Sequence, residues 1–142
     1  MNVASILDRK GRDVATAPED ITLRDAAREL RKRRIGALVI MNDAGEIAGI
    51  LSERDIVRAM ADKGGIAADM PASQFMSRDI CTCRLSDTTE ELMAVMTEKR
   101  FRHLPVIESG RLAGIVSIGD VVLQRMEEMA FEAEQMKQYI VS

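Results

Sequence analysis

A seven-residue pattern whose residue types suit the binding of an anion occurs twice in this chain. GILSERD spans residues 49–55 and GIVSIGD spans residues 114–120, with Gly, Ser and Asp at matching positions. Each serine is predicted to end a strand and the next residues to begin a helix, whose first N–H groups can bind a phosphate beside the hydroxyl. One helical turn later, the aspartate can accept hydrogen bonds from both hydroxyls of a ribose. The pattern therefore predicts contacts to the phosphate and the ribose of a nucleotide.

The same residues have a structural interpretation, because Ser and Asp commonly cap the first turn of a helix. A single occurrence of the pattern would favour that interpretation. The recurrence of Ser and Asp together with Gly49 and Gly114 favours a ligand role instead, since glycine lets a strand pass close to a bulky group.

The similarity extends well beyond these seven residues. Between residues 45–57 and 110–122, seven of thirteen positions are identical, and the segments VASIL at 3–7 and ASQFM at 72–76 are also alike. Thr22 and Thr88 each precede a carboxylate by three residues and an apolar helical pattern, which is typical of a capping box. The chain is therefore predicted to be a tandem duplication, with repeat 1 at 3–66, repeat 2 at 70–128 and an extended C-terminal helix at 121–141.

Each repeat is predicted to run β-α-β-β-α. Pro105 lies inside a strand pattern, so that strand should be an edge, or the missing N–H of Pro105 should face a ligand cavity. Because one small sheet cannot cover both of its faces, we expect an α/β (α+β) fold with the two repeats packed sheet to sheet in pseudo-twofold symmetry. The expected strands are 14–17, 37–41, 46–51, 80–83, 104–107 and 111–116, and the expected first helices are 23–33 and 89–99.

The two segments resemble cystathionine-β-synthase (CBS) domains in tandem, the arrangement called a Bateman module. The resemblance covers nearly the whole chain and is carried by ALVIMNDAGEIAGILSERDIV, RFRHLPVIESGRLAGIVSIGDVV, VATAPEDITL and ICTCRLSDTT. It implies a non-catalytic regulatory module for energy sensing that binds adenine nucleotides (AMP, ADP, ATP, sometimes NAD or S-adenosylmethionine) in clefts between the repeats. It also implies a homodimer that requires no cofactor beyond this nucleotide ligand.

The resemblance implies two ligand sites in which corresponding segments contact the same parts of the nucleotide. A short segment before each first helix meets the adenine edge through backbone groups, the first hairpin strand forms an apolar wall, and Ser and Asp contact phosphate and ribose. Site 1 comprises Thr16, Ala17, Ala37, Leu38, Ser52, Arg54 and Asp55, and site 2 comprises Thr82, Cys83, His103, Leu104, Pro105, Ser117, Gly119 and Asp120.

The two sites are not expected to be equivalent, because repeat 1 has Glu53-Arg54 where repeat 2 has Ile118-Gly119. The guanidinium of Arg54 forms strong charge-assisted hydrogen bonds with phosphates, so site 1 is expected to prefer ATP or a dinucleotide. Gly119 lets the backbone approach a ligand closely, and site 2 is expected to bind AMP comparably well.

Several other classes of function find little support in the sequence. A net charge of −3, 3% aromatic residues and no Trp disfavour nucleic acid as a partner, and the basic run at 28–34 complements the dipole of a helix C-terminus. Catalysis would have to use one histidine without any P-loop, Rossmann or HExxH motif, and a GxSxG elbow would need glycine where Ile115 stands. Cys81 and Cys83 supply half a zinc site and are expected to be reduced, so no metal site is expected.

The sequence also bears on location and partners. It has no apolar run near 18 residues and no secretory signal, so we expect a cytoplasmic protein without a membrane-spanning segment. It contains no catalytic or transporter domain, so its output should pass through a separate regulated protein that the sequence does not identify. The C-terminal helix carries an apolar stripe that exceeds what its own repeat can cover, at Val122, Met126, Met129, Met136 and Ile140.

This stripe predicts a homodimer, with a tail folded back on its own repeats as the alternative. The alternative function is a structural dimerisation module with vestigial nucleotide clefts.

Overall fold

The computed structural model describes residues 1–141, which form five α-helices, five β-strands and two short 3-10 helices. A helix, a hairpin and a second helix occur in both repeats, as the duplication in the sequence predicts. In chain order the elements are α1 (Val3–Lys10), β1 (Thr16–Pro18), α2 (Leu23–Arg33), β2 (Ala37–Met41), β3 (Ile47–Ser52), α3 (Glu53–Lys63), the 3-10 helices Gly64–Asp69 and Ala72–Gln74, α4 (Thr89–Lys99), β4 (His103–Glu108), β5 (Arg111–Ser117) and α5 (Ile118–Val141).

The chain divides into two compact units that do not coincide with the repeats along the sequence. The first-repeat unit is residues 14–80, and the second-repeat unit is residues 1–13 together with the chain from Cys81 onward. Each lead-in segment therefore packs with the opposite repeat. Matched hydrogen bonds hold the two lead-ins: Val3 N–H donates to the Asp87 carbonyl at 2.9 Å, and Ala72 N–H donates to the Ile21 carbonyl at 2.8 Å.

The first-repeat unit is built on a three-stranded sheet in the order β1-β2-β3. Strand β2 pairs in parallel with β1 and antiparallel with β3. Since side chains alternate along a strand, Leu38 and Ile40 project from one face of the sheet into the core that α2 covers. The core of this unit comprises Ala17, Leu23, Ala26, Leu30, Leu38, Ile40, Leu51, Ala59, Ala67, Ala72 and Met76.

The second-repeat unit has a two-stranded sheet, β4-β5, rather than three strands. The strand predicted at 80–83 is therefore wrong: this segment touches β4 only through an isolated bridge between Cys83 and Val106. Its core comprises Val3, Ile6, Leu7, Cys83, Leu92, Met96, Leu104, Val106, Val116 and Val121.

Pro105 explains why this strand is lost. In the first repeat the corresponding residue, Val39, donates its N–H to the Ala15 carbonyl at 3.0 Å. Proline has no N–H to donate, so the equivalent hydrogen bond cannot form. The segment is held instead by Cys83 N–H to the Pro105 carbonyl and Ile107 N–H to the Cys83 carbonyl, both at 2.9 Å. The missing N–H of Pro105 thus faces the edge of the sheet, as one of the two sequence-based interpretations predicts.

The first helices of both repeats begin where the capping pattern predicts. The hydroxyl of Thr22 accepts a hydrogen bond from Asp25 N–H, and that of Thr88 accepts one from Glu91 N–H. Both helices end at an arginine in the left-handed conformation, Arg34 and Arg100. None of the helices within residues 1–141 is long and apolar enough to cross a membrane.

Candidate functional site

The Ser and Asp of the repeated pattern form a reciprocal cap at the start of α3 and again at the start of α5. Asp55 N–H donates to Ser52 Oγ at 3.3 Å, while Ser52 N–H donates to Asp55 Oδ2 at 2.8 Å. The second repeat has the same pair of bonds, from Asp120 N–H to Ser117 Oγ at 3.2 Å and from Ser117 N–H to Asp120 Oδ2 at 2.8 Å. The structural interpretation of Ser and Asp is therefore correct as far as it goes.

Three of the four N–H groups at the start of each helix have a capping or carbonyl partner. In α3 the next donor, Glu53 N–H, is bound to the Gly36 carbonyl, and in α5 Ile118 N–H is bound to the Arg102 carbonyl. The remaining N–H in the first turn of each helix, that of Arg54 in α3 and of Gly119 in α5, takes no part in these caps. Both are residues that the sequence assigns to the ligand sites.

Strand register places some of the predicted site residues on one face of each sheet. Ala37 lies directly opposite Ser52, and His103 lies directly opposite Ser117. Residues paired in this way share a face of the sheet. Thr16 pairs with Val39, two residues beyond Ala37, and so belongs to the same face.

Four other predicted site residues have their side chains in the cores. Leu38 and Leu104 are fully buried, and Ala17 and Cys83 also belong to the core clusters. Ala17 and Cys83 remain compatible with the backbone role that the resemblance implies. Leu38 and Leu104 project from the opposite face to Ala37 and His103, because neighbouring residues of a strand alternate.

The thiol of Cys83 is held in its protonated, weakly nucleophilic form. Burial, and then the negative charge of Asp87 and the neighbouring Cys81, raise its pKa to about 12. Both cysteines are free, and no cluster of three His, Cys, Asp or Glu side chains among the described residues is arranged to hold a metal ion.

The glycines of the pattern are explained by packing within each unit. A Cβ on Gly49 would lie 2.5 Å from the Ser77 carbonyl oxygen and 3.0 Å from the Met76 side chain. A Cβ on Gly114 would lie 2.8 Å from a methyl carbon of Leu7. The bulky group near each strand is therefore the lead-in segment, which the sequence analysis did not identify.

One charged residue of the site was missed from the sequence. Lys10, at the end of α1, donates from Nζ to Asp120 Oδ2 at 2.6 Å and to the Ile115 carbonyl at 2.9 Å. Burial opposes ionisation of Asp120, but the hydrogen bonds from Lys10 and Ser117 outweigh it and lower the pKa of this carboxyl. Lys10 stands 110 residues from its partner, so no local pattern could have indicated the contact.

The units also have open grooves of nucleotide size, which coincide only in part with the predicted sites. Thr82 and Cys83 line a groove of about 700 Å³ that runs to the hairpin turn at Ser109. A second groove, of about 620 Å³, lies between α2 and α3 and is lined by Arg31, Arg34 and apolar side chains. Neither groove is lined by Ser52, Asp55, Ser117 or Asp120.

Comparison with protein families gives two matches within this chain. The model of the CBS domain family matches residues 3–62 and residues 72–127. The uncharacterized 17.7 kDa protein of Acidianus ambivalens is 34% identical over 103 residues, which is 72% of this chain. The chain spans 61% of the length of that relative.

Two solved structures are similar over most of the chain. The CBS-domain-containing protein ATU1752 of Agrobacterium tumefaciens is 46% identical with a TM-score of 0.85, covering 88% of this chain and 99% of that one. The CBS domain pair of protein MJ0100, in complex with 5′-methylthioadenosine and S-adenosyl-L-methionine, is 25% identical with a TM-score of 0.77, covering 87% of this chain and 98% of that one.

Proposed function

The chain belongs to the CBS domain family as a tandem pair of repeats, and on that basis we propose that it is a non-catalytic regulatory module that binds adenine nucleotides. The nucleotide is AMP or ATP, with NAD as a further candidate, and its binding is passed on to a separate regulated protein. Each repeat contributes one site, in which the side of the sheet that carries Ser52 or Ser117 contacts the ligand.

The observation that carries this proposal is the arrangement at the start of α3 and α5. In each repeat a half-buried carboxylate, Asp55 or Asp120, lies in the same helical turn as the N–H of Arg54 or Gly119, which takes no part in the cap. Each cap places one backbone hydrogen bond on Oδ2, so a ribose diol would bind the carboxylate at Oδ1 with its second hydroxyl reaching Oδ2, while a phosphate accepts the N–H. The related pair of protein MJ0100 in complex with two adenosine-containing ligands supports the same class of ligand.

The two sites differ in charge, which supports a difference in preference. Arg54 is exposed at the second position of α3, where its guanidinium can reach the outer phosphates of ATP. At Gly119 an added Cβ would meet only Ser117 Oγ, at an ordinary 3.6 Å, so glycine is not required there by the fold. Its small size leaves the first turn of α5 accessible to AMP.

A second candidate function is a structural dimerisation module whose nucleotide sites no longer bind. The observation in its favour is that Asp120 already has two donors, Lys10 and Ser117 N–H, as its partners. In this alternative, Ser and Asp act only as helix caps.

Isothermal titration calorimetry with AMP, ATP, NAD and S-adenosylmethionine tests the proposal. Asp55→Ala and Asp120→Ala should each weaken their own site by about tenfold or more, because a hydrogen bond to a charged group contributes roughly 1.5–3 kcal/mol. Asp55→Ala should affect ATP more strongly and Asp120→Ala should affect AMP.

The matched control for loss of a helix cap is Thr22→Ala, which removes the hydroxyl cap of α2 outside both sites. Parent protein that binds none of the four ligands, in titration and in thermal shift, would leave the structural module as the better description.

A further inference from the structure

The lead-in helix α1 places a cation on the carboxylate of the second repeat. Lys10 Nζ lies 2.6 Å from Asp120 Oδ2 and also donates to the Ile115 carbonyl, so its ammonium sits where β5 leads into α5. The two side chains retain 33% and 25% of their exposure, so solvent and solutes can reach the pair. A ligand that binds Asp120 must share this carboxylate with Lys10.

Within residues 1–141, the aspartate of the first repeat has no such ion pair with a cation. The contacts of the two glycines show which lead-in residues correspond, since Leu7 packs on Gly114 as Met76 packs on Gly49. Counting three residues on from each places Asp79 in the position of Lys10. Among the ion pairs of residues 1–141, none involves Asp55.

We propose that Lys10 makes the second-repeat site selective for phosphorylated adenosine over adenosine itself. This inference rests on the proposed function and adds to it a residue of α1 that lies outside both GxxSxxD patterns. A ribose diol that spans both oxygens of Asp120 takes the place of the ammonium on Oδ2, and among residues 1–141 Lys10 pairs with no other carboxylate. A nucleotide supplies a phosphate beside Gly119, and the ammonium moves from the carboxylate to this new anion.

The physical basis is the difference between losing and exchanging an ion pair. Separating Lys10 from Asp120 in a half-buried setting opposes binding, because the carboxylate is stabilised in its charged form by this donor. Adenosine offers the displaced ammonium no anion, whereas AMP offers two or more acceptor oxygens with negative charge. The long, flexible lysine stem allows the ammonium to move between the two positions.

A structural role is the competing explanation, since the pair also ties the end of α1 to the start of α5. That role predicts a loss of stability when Lys10 is replaced, without a change in which ligand binds. Selectivity is therefore the property to measure, rather than affinity for one ligand.

The experiment uses the whole chain carrying Asp55→Ala, which weakens the first-repeat site so that the tighter binding step in calorimetry reports on the second repeat. Affinities for AMP, adenosine and 5′-methylthioadenosine are compared with and without Lys10→Met, which keeps the length of the stem. We expect Lys10→Met to tighten adenosine and methylthioadenosine, to weaken AMP, and to lower the ratio of AMP to adenosine affinity by about tenfold or more. Lys10→Arg, which keeps a cation, should restore most of the ratio.

Arg9→Met is the matched control, because Arg9 is the preceding cation of α1 and pairs with Glu127 on α5. It should leave the ratio unchanged. An unchanged ratio in Lys10→Met, with AMP still bound, would overturn this inference while the proposed function stands. Absence of binding of all three ligands to the Asp55→Ala protein would overturn nucleotide binding at this repeat, and the inference with it.

Discussion

At the scale of single residues, the repeated pattern caps a helix and also makes room for the packing of a neighbouring segment. Ser52 and Asp55 close the start of α3 with reciprocal hydrogen bonds, and the glycine that precedes them leaves room for the lead-in segment. Both features are explained by the fold without a ligand. The ligand hypothesis therefore depends on the groups that the caps do not use: in each repeat, one backbone N–H and the acceptor capacity that remains on one carboxylate.

The two glycines should differ in how much they tolerate a methyl group. Gly49→Ala brings Cβ to 2.5 Å from a backbone oxygen, which can move only with the chain, and should cost about 1–3 kcal/mol. Gly114→Ala meets the end of the Leu7 side chain, which can change rotamer, so its cost should be smaller. Urea denaturation measures both, with Gly65→Ala, whose added Cβ meets nothing within 4 Å, as the control. Equal losses in Gly49→Ala and Gly65→Ala would contradict this account.

The charge of Asp120 should make a stability contribution that depends on pH. Because the pKa of Asp120 is lowered in the folded chain, the contribution is present above the pKa of an unfolded aspartate and is lost as pH falls through the folded value. At pH 7 the free energy of unfolding of the parent should exceed that of Asp120→Asn by about 1 kcal/mol. This difference should vanish in strong acid. Asp8→Asn, an exposed carboxylate of α1, should stay within about 0.5 kcal/mol of the parent. A difference independent of pH would refute the assignment.

At the scale of elements, the sequence predicts the helices and hairpins closely but not what the lead-ins do. Capping residues and apolar spacing are local signals, so α2 and α4 occupy the predicted residues 23–33 and 89–99. The strand at 80–83 fails because its pairing depends on a donor that Pro105 lacks. The contacts of Lys10 and of Leu7 join residues about a hundred positions apart, which no periodicity or local motif encodes.

Restoring the missing donor should restore the pairing. In Pro105→Val, the new amide faces the segment that contains Cys81, and it should become protected from hydrogen exchange as Val39 is expected to be. The free energy of unfolding should change by less than about 1 kcal/mol, because the gained hydrogen bond is offset by the greater freedom of the unfolded chain. Exchange of the residue 105 amide at the rate of an exposed loop would show that the proline is not what prevents pairing.

At the scale of the whole molecule, α5 is the element least accounted for by a single chain. It runs for 24 residues, and the predicted apolar stripe is exposed along its length, with Met129 at 56% and Ile140 at 77%. A helix whose apolar stripe has no covering surface gains little from packing, which supplies most of the stability of helices in proteins. A second copy of the chain would cover the stripe.

We therefore predict a homodimer, with twice the 15.7 kDa mass of the chain in light scattering at micromolar concentration. Replacing Met129 and Met136 together by Glu should give monomers, because buried carboxylates would be unpaired at the interface. Thr97→Glu adds a charge to the exposed face of α4 and should leave the dimer intact. A parent protein that scatters as a monomer would favour a tail that folds back on its own chain.

The exchange of lead-in segments has a consequence for how the chain is made. Helix α1 is translated before both repeats are complete, and the carbonyls of Leu85 and Asp87 that bind it follow about eighty residues later. At roughly 5–20 residues per second, this leaves α1 waiting for several seconds while the continuous unit 14–80 can already fold. During that interval Val3, Ile6 and Leu7 lack their core partners, which lie between Cys83 and Val121. On a crowded polysome, the first helix of one nascent chain is therefore available to the second repeat of its neighbour, and the swapped assembly would use the same contacts as the native fold.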